Sequence, residues 1–368
     1  MSGRKKGETT TLTGLGQSSR VAAAYKELVR YIHKRGLGPG RRLPCQEDLR
    51  NELGYSHHSL SAAMGLLAEG GVLRRKPKVG TIVEDPDATA RGVWTVGLIT
   101  QPQEVLEVPF FAVLVNLLQS ELIRLGCRVH MYPNAAGCPS DRLEQFPGLP
   151  AEIEAGRVDG VLATVSLLGE DVERAREQGV VLVKVGPPGT PQNGVCIDQA
   201  RMVQTATESL VEDGCSRLAL VTNFKPRSGP NGPWQRFCET LDAQPGAQTG
   251  ESLHEGNGPR AGIEVARQLL GRPENKRPDG LIIADDRIAM GLTAELAKAG
   301  NYRPRIAVQT NLQVPLAFAL PVDRYCVDIE DMAGLGAEKM LRQLRNPSLP
   351  EEVTWVEPER ESGERKSE

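Results

Sequence analysis

Aromatic residues make up only 4% of this 368-residue chain, too few for the stacked-ring surfaces that hold many single-stranded nucleic acids. Its seven cysteines, at 45, 127, 138, 196, 215, 238 and 326, form no C-x-x-C pair and no ligand-like spacing with the five histidines. An odd, unpatterned set in apolar runs reads as small buried hydrophobes in a reducing compartment, and argues against a disulfide framework or a zinc site. No apolar stretch approaches the roughly eighteen residues of a membrane span. The N-terminal MSGRKKGETTTLTGLG is basic but lacks the apolar core of a secretory signal. A cytoplasmic protein with no membrane partner is expected. Catalytic motifs are missing as well. No G-x-G-x-x-G opens a helix after the first body strand, and there is no P-loop and no G-x-S-x-G. GLGAEK at 334–339 resembles a phosphate loop but falls inside a helical pattern. No enzyme, cofactor or metal is therefore expected.

The formal net charge of −3 conceals an asymmetry. Residues 1–85 hold 15 Lys and Arg against 8 Asp and Glu, whereas the rest of the chain holds 29 against 39. A basic head on an acidic body points to a polyanionic partner for the head alone.

Two patterns divide the chain. Residues 1–17, rich in Gly, Thr and Lys, read as disordered. Residues 18–85 carry three short helical patterns and a hairpin. The first helix has Val21, Leu28, Val29 and Ile32 on one side and stops at Gly36 and Gly38. CQEDLRNELG follows Pro44, and Ser56 starts a third helix with Leu60, Ala63, Met64 and Leu67 as its apolar stripe. VLRRKPKVGTIVE reads as two strands around a turn. Residues 86–92 read as a linker. Over 93–358 strands alternate with helices, beginning with the apolar VWTVGLIT, and this alternation predicts parallel sheets flanked by helices. Some 260 residues of it exceed one sheet's needs, so two lobes are expected. Residues 359–368 read as a charged tail.

The stretch GLGPGRRLPCQEDLRNELGYSHHSLSAAMGLLAEGGVLRRKPKVGTIV resembles the GntR-family winged helix-turn-helix over the whole module. The resemblance implies double-stranded operator DNA as partner. A recognition helix offers its N-terminal side chains to base edges in the major groove, and its N-terminus favours a phosphate oxygen. The residues so placed are Arg42, Gln46, Ser56, His57, His58, Ser59 and Ser61. Arg74, Arg75, Lys76, Lys78 and the turn residue Gly80 form the basic wing. Four positions depart from the family pattern. Cys45-Gln46 stands where Ser-Glu is usual, and His57 and Ser61 stand where arginines are usual. Arginine is the commonest bidentate reader of guanine, so the operator preference implied here differs from that of typical relatives.

Residues 93–357 resemble the effector domain of the LacI/GalR family, a two-lobed periplasmic-binding-protein-like type I fold. The likeness rests on VGLIT, PFFAVLVNLLQSELIRLGCRV, VDGVLAT, VCIDQARMVQTATESLVEDGCSRLALVT, RPDGLIIADDRIAMGLTAELAKAG and RIAV, in that order. A GntR-type head on such a body is similar to the arabinose-repressor-like subgroup. Ligands of open parallel sheets sit at the carboxyl ends of the strands, here expected to face an interlobe cleft. That rule selects Gln101, Phe110, Phe111, Thr164, Asp198, Asp285, Asp286, Asn311 and Asp328. Trp234 and Arg236, at the start of PWQRFCETL, join them as a stacking platform and a cation. Bland roles compete: the phenylalanines as core, Asp198 and Asp286 as helix caps. Two departures bear on a sugar ligand. Pro233 stands where sugar-sensing relatives carry an arginine, and TNLQ replaces their Gly-Phe-Asp-Asp.

These readings converge on an α/β transcription regulator, by default a homodimeric repressor. A small-molecule effector, with a carbohydrate as the candidate class, closes the lobes and changes the spacing of two heads set about 34 Å apart on DNA. The alternative is a DNA-binding protein whose body only dimerises. An α/β enzyme and a transport solute-binding protein rank lower.

Overall fold

In the computed structural model the described residues are 19–76, 79–88, 94–134, 141–189, 192–222, 232–244 and 249–361. They fall in two compact units, one within Met1–Val195 and Ala333–Val353, the other within Cys196–Met332 and Thr354–Glu368. The chain therefore passes from one unit to the other three times.

The first unit begins with α1 (Ser19–Lys34), α2 (Gln46–Leu53) and α3 (His57–Glu69), followed by the antiparallel pair β1 (Leu73–Lys76) and β2 (Gly80–Val83). Ala24, Leu28, Ile32, Leu49, Leu60, Ala63 and Leu67 are fully buried here, so the helical stripes make this small core. Gly54 ends α2 at φ 73°, a left-handed conformation that glycine adopts without cost.

The unit continues with β3 (Thr95–Thr100), α4 (Pro102–Glu107), α5 (Pro109–Arg124), β4 (Arg128–Pro133), α6 (Leu149–Glu154), β5 (Gly160–Ala163), α7 (Gly169–Glu177), β6 (Val181–Gly186) and β7 (Gly194–Ile197). All six residues of β3 are buried, as suits a central parallel strand covered on both faces.

The second unit holds α8 (Gln199–Glu212), β8 (Arg217–Val221), α9 (Pro233–Asp242), β9 (Thr249–Leu253), α10 (Gly258–Leu270), β10 (Gly280–Ile283), α11 (Asp286–Ala299), β11 (Arg305–Asn311) and β12 (Asp323–Val327). Helix α12 (Ile329–Arg345) carries the chain back to the first unit. β13 (Val353–Val356) and β14 (Glu359–Arg360) close the described chain.

The sheets run β13-β7-β6-β5-β3-β4 and β14-β12-β11-β10-β8-β9. Pairs β3–β4, β3–β5 and β5–β6 are parallel, as are β8–β9, β8–β10, β10–β11 and β11–β12. The α/β class with parallel sheets expected from the alternation is thus present. Three short elements, α4, α6 and β9, carry no strong period in the sequence. β14 pairs antiparallel with β12, so the stretch read as a charged tail begins as strand. GLGAEK lies inside α12, as its pattern indicated.

Helices α10 and α11 approach closely because two glycines face the partner backbone. A Cβ on Gly291 would lie 1.9 Å from the Pro259 carbonyl oxygen, and one on Gly262 would lie 2.0 Å from that of Ile288. Neither backbone can yield without parting helices that share the second unit's core of Val265, Leu269, Ile288 and Leu292. Gly291→Ala is expected to destabilise the protein by about 3 kcal/mol, read as a drop in calorimetric Tm. An unchanged Tm would contradict this packing.

Candidate functional site

Two helix caps set the starts of α2 and α3 in the head. Ser56 caps α3, its Oγ accepting from the Ser59 amide at 3.2 Å. Cys45 caps α2, its Sγ accepting from the Asp48 amide at 3.5 Å while donating to the Asp48 carboxylate at 2.9 Å. The thiol thus fills the capping role that serine has in the family pattern. Gln46 is half-buried and donates from Nε2 to the His57 carbonyl at 3.2 Å, tying the two helices together.

The helix start leaves His57 and His58 exposed, with Ser61 half-buried. Ser59 corrects the sequence expectation: it is 7% exposed and its Oγ lies 3.0 Å from that of Ser56, so it serves the cap and offers nothing to a base. On the wing, Arg75 donates to the Ser61 carbonyl at 3.0 Å, and Arg74 pairs with Glu84 at 2.8 Å. Lys76 and Arg42 are exposed. Gly80 has φ 114°, and a Cβ there would fall 2.7 Å from Arg42 Nε. Glycine at this turn brings Arg42 against the wing. Lys78 lies outside the described residues.

In the first unit, the carboxyl ends of β3, β5 and β6 gather Phe111 and Thr164 about Gly186. A Cβ at Gly186 would stand 3.9 Å from both the Phe111 ring and the Thr164 carbonyl. Phe110 is buried and meets the Phe111 ring edge-on at 5.2 Å, so the first is core and the second half-buried at the strand ends. Gln101 is half-buried just beyond β3. Thr164 is 2% exposed, its carbonyl accepting from Lys184 Nζ at 3.1 Å. Lys184, itself 2% exposed, escaped the sequence reading.

In the second unit, three acidic candidates cap helices. Asp198 accepts from the Arg201 amide, starting α8. Asp285 accepts from the amides of Arg287 and Ile288, starting α11. Asp328 accepts from the Glu330 and Asp331 amides, starting α12, and from Gln313 Nε2 at 2.8 Å. Asp286 differs. Its Oδ2 accepts from Asn311 Nδ2 at 2.9 Å, across the carboxyl ends of β10 and β11. Burial, then the neighbouring charge of Asp285, pushes its carboxyl up to about 6, with the Asn311 bond opposing. Asn311 Oδ1 and, two positions earlier on β11, Gln309 Oε1 are buried without a hydrogen-bond partner among the described residues; a stranded acceptor on the side chain that bonds a carboxylate suits a hydroxyl- or amine-bearing visitor.

Trp234 packs on Phe237 with ring centroids 5.6 Å apart, leaning on the core beneath α9. Arg236 lies 3.7 Å from Glu239 one turn on. A hollow of about 410 Å³ lined by Arg217, Glu251, Arg272 and Lys276 sits at the amino ends of β8 and β9, the wrong ends for a ligand site in such a sheet. Among the described residues no group of His, Cys, Asp and Glu is placed to hold a metal ion, and no helix is long and apolar enough to cross a membrane.

The caps, the exposed helix start and the basic wing make a winged helix-turn-helix. Residues 20–83 match the bacterial regulatory proteins, gntR family. The remainder has the fold of LacI-family regulators. The Cra transcriptional dual regulator from Pseudomonas putida, in complex with fructose 1-phosphate, is 18% identical with a TM-score of 0.58, covering 73% of this chain and 97% of its own. A LacI family regulator from Enterococcus faecium with bound ribose is 20% identical with a TM-score of 0.57, covering 73% and 96%. The lactose repressor bound to the anti-inducer ONPF is 16% identical with a TM-score of 0.57, covering 72% and 98%. No curated protein sequence matches the chain. A head that matches the gntR family model is thus joined to a body with the fold of LacI-family regulators.

Proposed function

We propose that this protein is a cytoplasmic, homodimeric transcription regulator, a repressor by default, whose hold on operator DNA is set by a small molecule at the carboxyl ends of its body strands. Arg42, Gln46, His57, His58, Ser61, Arg74, Arg75, Lys76 and Lys78 would face the duplex. The candidates for effector contact are Gln101, Phe111 and Thr164 at the strand ends of the first unit and, separately, Asp286 and Asn311 at those of the second. The observation that carries the reading is the stranded acceptor Asn311 Oδ1, on the side chain that bonds the Asp286 carboxyl, with Gln309 Oε1 stranded two positions earlier on β11. Buried acceptors cost stability unless a donor arrives, and hydroxyl groups are donors. The sugar-bound neighbours support the same class. No reaction is assigned to the site.

A thermal-shift series on the full chain tests the reading, using ribose, fructose 1-phosphate, polyols, sugar acids and nucleosides. A ligand that binds only the folded state at about 100 times its Kd adds about 2.7 kcal/mol, so Tm should climb with concentration. Any hit should then change the affinity of the full chain for its duplex. Silence across the series would favour the second reading, a body that only dimerises. The lack of the usual arginine at Pro233, with Arg236 turned to Glu239, is the observation on that side.

A further inference from the structure

Helix α1 has two faces. Leu28, Val29 and Ile32 fill the core of the head, while Lys26, Arg30 and His33, spaced four and three apart, line another side. That side is engaged by the body portion of the same compact unit. Lys26 Nζ donates to both carboxylate oxygens of Asp159, at 2.6 and 2.8 Å, with the side chains 18% and 9% exposed. Asp159 is itself pinned, accepting from the Thr95 amide at 2.8 Å. Arg30 Nε donates to the Leu344 carbonyl in the last turn of α12 at 3.3 Å, where the helix dipole welcomes a cation. Lys26 and Arg30 stand 5.7 and 5.3 Å from the ring centre of Trp94, which is only 2% exposed. Two cations over one buried indole is a favourable arrangement where water is excluded.

The segment after the wing is held at the same place. Arg345 donates to the Asp87 carboxylate at 2.9 Å and to its carbonyl at 2.7 Å. His33 Nε2 lies 3.0 Å from the Pro86 carbonyl. None of these contacts uses His57, His58, Arg42 or Lys76, which stay exposed.

We propose that α1 is a latch that fixes the DNA-binding head to the body through Lys26, Arg30 and Trp94, at the end of the crossover helix α12, with the DNA-reading surface left free. Head and first lobe then turn as one piece. Because the chain enters the first unit within α12, a displacement of that helix is delivered to the head at Arg30. The latch stands on its own contacts, whether or not the strand ends take an effector.

The test uses the full chain with Trp234→Phe and Trp355→Phe, leaving Trp94 as the sole tryptophan, excited at the red edge where tyrosine does not absorb. In this background Trp94 is expected to resist acrylamide quenching. Adding Lys26→Met with Arg30→Met leaves Asp159 without its countercharge. An ion stranded this way is strongly destabilising, so the open fraction should rise on the order of a hundredfold, with Trp94 emission shifted red and quenching raised several-fold. Lys26→Arg alone, which keeps the charge, should stay shielded. Circular dichroism and an unchanged body melting transition certify that each variant is folded. A Trp94 freely quenched in the parent would overturn the latch. So would a folded double variant that stays shielded, or a Lys26→Arg protein as open as the double variant.

Discussion

Removing Arg42, Arg75 and Lys76 together should lower the affinity of the full chain for duplex DNA by about 10²–10³-fold at moderate salt and flatten the salt dependence by roughly three charges' worth. All three are exposed, and Arg75 donates to the Ser61 carbonyl rather than to a carboxylate. Arg74 is a useful contrast. Its guanidinium stands 2.8 Å from Glu84, so Arg74→Ala removes a charge already partly neutralised and should cost less. His57→Ala with His58→Ala should leave the salt slope unchanged and alter only the preference among sequences, because base contacts specify while phosphate contacts position. Titrations of a fluorescent duplex at several salt concentrations measure all three. A slope unmoved by the triple change would remove the wing and Arg42 from the phosphate contacts.

Elements with a strong period were legible in the chain itself. The apolar stripe of α3 and the unbroken run of β3 needed no partner to be recognised, because local spacing already fixes which face is buried. Side-chain roles were less legible. Ser56 and Ser59 look alike as helix-start serines, and only the cap geometry sends one inward. Asp285 and Asp286 are adjacent, yet the first caps α11 and the second bonds Asn311 from a strand 25 positions on. The sequence offered Asp286 as the cap, and the structure gives that task to Asp285. Lys184 sits in an apolar strand run, and its burial depends on the Thr164 carbonyl 20 residues earlier. The Lys26 face of α1 was invisible for the same reason, its partner Asp159 being 133 residues away. Contacts set by tertiary placement leave no trace in local periodicity.

Asp286→Asn should make the protein more stable at pH 8 and less responsive to any effector. The carboxyl is held from 3.8 up to about 6 in the fold, first by burial and then by Asp285. A carboxyl raised on folding binds its proton more tightly in the native state, so native stability falls as pH rises from about 4 to about 6 and stays low above that. The ceiling on that loss is about 3 kcal/mol. Asp286 is only half-buried by surface, and solvent screening brings the expected gain to about 1–2 kcal/mol. The amide removes the charge while its Oδ1 still accepts from Asn311 Nδ2, so the cap on Asp285 and the bond across β10 and β11 survive. Urea denaturation at pH 8 and below about pH 3 measures the difference. The variant should lead at pH 8 and match the parent below about pH 3, where Asp286 is protonated in both states. A gain of equal size at both pH values would mean that packing, not charge, sets the cost. A destabilised variant at pH 8 would mean that the ionised carboxylate holds the α11 start together. Proteins keep such costs where a site needs them, and a carboxylate that weakens the empty fold but greets a hydroxyl donor is what the effector reading requires.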